Sequence, residues 1–105
     1  MPELRVIYWR DIPAQVTAAD GAATARAALT ERFQLAIDEA AMTAGLVGSD
    51  EYQAEWRLET RDCSTHLKRE VDEEAARLEA AFPPDELVRL VGSRGRREAP
   101  DSNRA

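Results

Sequence analysis

The chain has a single cysteine and a single histidine. One cysteine closes no intrachain disulfide, and the pair falls short of the roughly four ligands of a structural zinc site. No run approaches the ~18 consecutive apolar residues of a membrane span. The opening, Met1-Pro2-Glu3-Leu4-Arg5, lacks the basic stretch and the apolar core, about 7–15 residues long, of a secretory signal. These absences lead to the expectation of a cytoplasmic protein. No glycine-rich phosphate loop is present, because Gly45-Leu46-Val47-Gly48 lacks the lysine and the hydroxyl that such a loop needs. Nothing repeats at a period of about 20–50 residues. Basic residues are outnumbered, 14 against 20 acidic, for a net charge of -6. That balance argues against a general binder of phosphate backbones.

What remains is 105 residues, 44% of them hydrophobic, enough for one domain with a core of its own. Residues 4–9 alternate, with Leu4, Val6 and Tyr8 on one face and Arg5, Ile7 and Trp9 on the other. Both faces are bulky, which predicts a central strand covered on two sides. Arg10-Asp11-Ile12-Pro13 turns the chain into a second strand over residues 14–18. Ala22 to Ala28 is rich in the best helix former, but Asp20-Gly21 between two short segments is a strong hairpin signal. A third strand over residues 23–28 is therefore predicted. Thr30 is placed to cap a helix over residues 31–44, striped by Phe33, Ala36, Ile37, Ala40 and Ala44 and ended by Gly45. Ser49 caps a short turn over 50–56, and residues 57–61 carry only a weak extended signal. Ser64 or Thr65 is expected to cap a helix to Ala81, and Pro83-Pro84 to start a last helix over 84–91. The predicted fold is α+β, a small three-stranded antiparallel meander followed by three to four helices packed on it. Residues 1–92 make that single domain. Residues 93–105 contain no large apolar side chain and carry four arginines against Glu98 and Asp101. They read as a disordered tail whose removal leaves stability unchanged.

Cys63 and His66, three apart at a helix start, admit two readings. One is a thiolate favoured by the helix dipole, with histidine as its base. The other is a small buried filler beside a solvated first-turn residue. The acidic helix containing Glu70, Asp72, Glu73, Glu74 and Glu79 also holds Lys68, Arg69 and Arg77. It reads as a solvated, ion-paired face, with no metal site and no cofactor expected. Trp9 reads as an interface anchor, with Ile7 beside it and Arg10 on its rim. An exposed apolar patch of this kind marks a protein partner or a second copy of the chain.

The string Leu4-Arg5-Val6-Ile7-Tyr8-Trp9-Arg10-Asp11-Ile12-Pro13 resembles the start of the small bacterial "virulence factor" domain family. Residues 31–38, Tyr52 to Arg57, and Cys63 with the acidic helix after it continue the resemblance. The family name is a label inherited from a larger protein with a similar segment. The resemblance implies a free-standing accessory protein, found beside tetrahydrofolate- and corrinoid-dependent methyl-transfer enzymes, with no established catalytic residues. The function expected is a non-catalytic interaction subunit. The alternatives are a thiol-dependent enzyme or redox sensor using Cys63, and a nucleic-acid-binding module using the arginine-rich tail. Relatives usually carry a basic stretch leading into the first helix, where this chain has Ala19-Asp20-Gly21-Ala22-Ala23-Thr24-Ala25-Arg26-Ala27-Ala28, with one arginine.

Overall fold

A computed structural model describes residues 1–97 of the chain. The elements run β1 (Glu3–Trp9), β2 (Ile12–Asp20), β3 (Ala23–Ala28), α1 (Glu31–Thr43), α2 (Asp50–Ala54), β4 (Trp56–Asp62), α3 (Leu67–Ala81) and α4 (Pro84–Gly92). The sheet order is β3-β2-β1-β4, antiparallel throughout. The fold is thus α+β as the composition and patterning predict, with one correction. The predicted three-stranded meander is real, but residues 56–62 add a fourth strand on the far side of β1. That strand makes β1 central.

The alanine-rich segment is a strand because the turn before it decides the matter. Gly21 adopts φ 63°, a left-handed conformation that costs glycine little. With Asp20 paired to Ala23, the segment folds back along β2 through Ala27 opposite Val16. Side chains along the sheet then sort by parity. Leu4, Val6, Val16 and Ala18 are buried, whereas Arg5, Thr24 and Arg26 are exposed. α3 lies across β2 and β3, and α1 packs on β2 and α4. Phe33, Ile37, Val71, Leu78 and Leu87 complete the core. Phe33 and Phe82 meet edge to face at 6.1 Å between α1 and the end of α3.

The helix caps differ in part from expectation. Ser49 Oγ does accept from Tyr52 N, and Gly45 (φ 74°) follows α1 as predicted. Thr30, however, turns its N–H and its hydroxyl to the Glu79 carboxylate on α3, at 2.7 and 3.0 Å. The Thr30 side chain thereby ties two helices together rather than capping one. α3 begins later than predicted, with His66 at its N-cap position. Ser64 N donates instead to Glu70 Oε2 at 3.1 Å, and the hydrogen bonds from Ser64 hold the Glu70 carboxyl below its ordinary value.

The domain also extends past Gly92. Asp11 N donates to the Gly95 carbonyl at 2.8 Å, and Arg10 Nη1 to the Arg94 carbonyl at 2.8 Å. Gly95 (φ 85°) lies so close to the Trp9 ring that a Cβ there would come within 2.9 Å of it. Residues 93–97 are therefore docked on the β1–β2 turn, which corrects the expected boundary. Backbone carbonyls do the docking, so the lack of apolar side chains in this segment does not prevent it. The rest of the predicted tail, residues 98–105, lies outside the described residues. Deleting residues 93–105 removes a charge-assisted hydrogen bond to a buried arginine and a backbone bond, together worth about 2 kcal/mol or more. The melting temperature of the shortened chain is expected to fall by ~10 °C for a domain of this size, as a thermal melt followed by circular dichroism will show.

Candidate functional site

The residues expected to face a partner are inside. Trp9 is 0% exposed. Its indole N–H donates to the Tyr52 carbonyl at 3.0 Å, and its ring lies 5.6 Å from that of Tyr52, which packs edge to face on Trp56. Sheet parity points Trp9 to the outer face, and α2 folds over that end of the face and closes it. Arg10, expected on a rim, is 8% exposed. Its backbone is left-handed (φ 54°) at the hairpin turn, and its guanidinium lies 5.1 Å over the Trp9 ring and pairs with Glu55 at 3.5 Å. Nε makes no hydrogen bond among the described residues, so that ion pair and the Arg94 carbonyl carry the charge. Ile7 alone of the three is partly open to solvent. It pairs across the sheet with Leu58 of β4, which is 55% exposed.

On the opposite face α3 packs mainly on β2 and β3 and meets β1 and β4 only along its edge, through Glu74 and Arg77. Beside that edge is a polar cleft that the sequence reading did not anticipate. Tyr8 stands at its centre with the Arg57 guanidinium 4.4 Å above the ring. Arg57 is held by the Arg10 carbonyl at 2.8 Å, by Asp11 at 3.3 Å and by Glu59. Burial, then Glu59 and Glu74, push the Tyr8 phenol up, so it keeps its proton and can donate. Beside the cleft, in a smaller cavity lined also by Leu4, Val6 and Arg61, Glu74 is 4% exposed. Arg77 grips it through two nitrogens, and Arg61 Nη2 reaches it at 3.1 Å from β4.

Glu74 corrects the expected solvated face of α3. Its position was readable: 67, 71, 74 and 78 recur at spacings of four, three and four, so Glu74 lies on the same stripe as Leu67, Val71 and Leu78. The outer pairs behave as expected, with Lys68 to Asp72 and Arg69 to Glu73 both exposed. β4 also had a signal, since Arg57, Glu59 and Arg61 alternate with Trp56, Leu58 and Thr60. That is a period of two, masked because both halves of β4 beyond Trp56 are exposed, the charged half along the wall of the cleft.

Cys63 and His66 are not brought into a site. Cys63 closes the end of the β1–β4 pair, its N–H donating to the Pro2 carbonyl at 3.2 Å. His66 is exposed, and no hydrogen bond joins the two side chains among the described residues. Burial, then the Glu70 charge, push the Cys63 thiol up, the reverse of what an activated nucleophile needs. A raised thiol pKa means less thiolate at neutral pH. Alkylation by iodoacetamide should therefore rise with pH through a midpoint above that of a free cysteine. A midpoint below it would identify an activated thiol. No group of three or more metal-ligating side chains occurs among the described residues, and no helix there is long and apolar enough to cross a membrane.

Comparison with curated proteins and with solved structures gives no match. A family model described as "Virulence factor" matches residues 7–91. The matched span runs from Ile7 in β1 to the last turn of α4. It takes in the Trp9–Arg10 turn, the whole wall that β4 and α3 give to the cleft, and every helix of the core. On that match the chain belongs to the virulence factor domain family.

Proposed function

We propose that the domain is a non-catalytic interaction subunit that docks on a partner protein through the outer face of its sheet. The observation that carries this reading is the Ile7–Leu58 pair. These two side chains sit side by side on β1 and β4, on the face that the helices leave open. Arg5, Gln15 and Thr60 surround them in the ladder, an apolar centre with a polar rim of the sort that protein interfaces use. Leu58, at 55% exposure, is one of six large apolar side chains that the fold leaves in solvent among the described residues, and the one that lies on the sheet. Tethering to a tetrahydrofolate- or corrinoid-dependent methyl-transfer enzyme is the partner class that the family resemblance supports.

Leu58→Glu places a charge at the centre of this face without entering the core. Affinity purification from the source cell with the whole chain as bait is expected to recover an enzyme of that class, identified by mass spectrometry. The Leu58→Glu chain, folded as judged by its melting curve, should recover at least tenfold less, the loss expected for an anchor worth ~1.4–2 kcal/mol. Equal recovery by both chains would place the interface elsewhere.

A further inference from the structure

The cleft on the helical face is independent of the outer face just discussed. Its volume is about 640 Å³, within the ~300–1,000 Å³ of small-molecule sites. In a chain of net charge -6 its wall gathers four arginines, Arg57, Arg77, Arg96 and Arg97, beside Asp11 and Glu59, and the last three arginines each also face a carboxylate, Glu74, Glu55 and Glu86. Two of these guanidinium groups lie over aromatic rings, Arg57 over Tyr8 at 4.4 Å and Arg97 over Phe82 at 4.6 Å. A cation–ring contact restrains a long side chain before any ligand arrives and lowers the ordering cost of binding.

The four arginines are not equally committed. Arg57 has all three of its nitrogens in hydrogen bonds within the protein. Arg77 holds Glu74 with Nε and Nη2, which leaves Nη1. Arg96 reaches Glu55 only at 3.5 Å, and Arg97 approaches Glu86 at 3.7 Å, beyond a hydrogen bond. Three guanidinium groups with uncommitted N–H donors thus line one cleft beside a protonated tyrosine. We propose that this cleft binds a small molecule carrying a phosphate group. A phosphate monoester is close to a dianion above its second pKa of about 6, and its oxygens can take the N–H donors that Glu74, Glu55 and Glu86 leave free on Arg77, Arg96 and Arg97. Arginine forks suit its tetrahedral oxygens.

The test is titration of the whole chain with phenyl phosphate at low ionic strength, followed by calorimetry and by backbone and arginine side-chain NMR shifts. Saturable one-to-one binding is expected, with shifts at Tyr8, Arg77, Arg96 and Arg97. Replacing both Arg96→Gln and Arg97→Gln should weaken it by about tenfold or more, one decade being the loss of one good charge-assisted hydrogen bond. Glu59→Gln should strengthen it several-fold, roughly as expected for removing one nearby acid, a gain that no unfolded variant can give. Shifts that never saturate, shifts centred on Lys68 and Arg69, equal binding of succinate, or an affinity unmoved by the variants would each overturn the proposal.

Discussion

A buried arginine at a two-residue turn organises this molecule. Arg10 sits in a left-handed backbone conformation that its side-chain contacts must stabilise, since a residue with a Cβ is disfavoured there. Taking its charge out of water is costly unless partners meet it. Three separate parts of the chain supply them: Glu55 at the end of α2, the Arg94 carbonyl beyond α4, and the face of Trp9. Its backbone N–H donates to the Glu55 carbonyl at 3.1 Å, and its carbonyl receives Arg57. One residue thereby fixes the hairpin, the entry to β4 and the docking of residues 93–97.

The two open surfaces follow from this constraint. With α2 drawn to the Trp9 end, β4 leaves it antiparallel to β1 and extends the sheet to the edge of α3, where Arg61 meets Glu74. The inner side of β4 then lacks an apolar roof, and Arg57, Glu59 and Arg61 line it beside the buried Leu4 and Val6 of β1. Glu74 is the hinge of that arrangement, apolar in its helical position and ionic in its partners. Replacing such an ion pair by well-packed apolar residues is often neutral for stability. A role in shaping a cleft explains its place better than a role in holding the fold. The outer side keeps Ile7 and Leu58 because α2 covers only the end of that face.

The parts of the fold legible in the sequence are those decided locally. Asp20-Gly21 overrode the helix propensity of the alanines, Gly45 ended α1, and Pro83-Pro84 separated the last two helices. The stripes holding Phe33 and Leu78 pointed to the core, where both lie. What could not be read locally depends on partners distant in sequence. Trp9 and Arg10 sit 40 or more residues from Tyr52, Glu55 and Arg94, and an exposed anchor and a buried plug have the same composition. Residues 93–97 bind through main-chain carbonyls, which no side-chain pattern reveals. Glu74 and β4 had the right periods, but a charged residue on an inward stripe reads as solvent-facing, which Glu74 is not, and both faces of β4 beyond Trp56 are open to solvent.

The central claim is that Trp9 and Arg10 form an internal clasp and not a surface. Trp56→Phe leaves Trp9 as the sole tryptophan, and acrylamide quenching of its fluorescence reports its contact with solvent directly. The clasp predicts blue-shifted emission and quenching close to that of a fully buried indole in the isolated native chain, rising to the free-indole value only on unfolding. Efficient quenching in the native chain, with the melting curve intact, would contradict it.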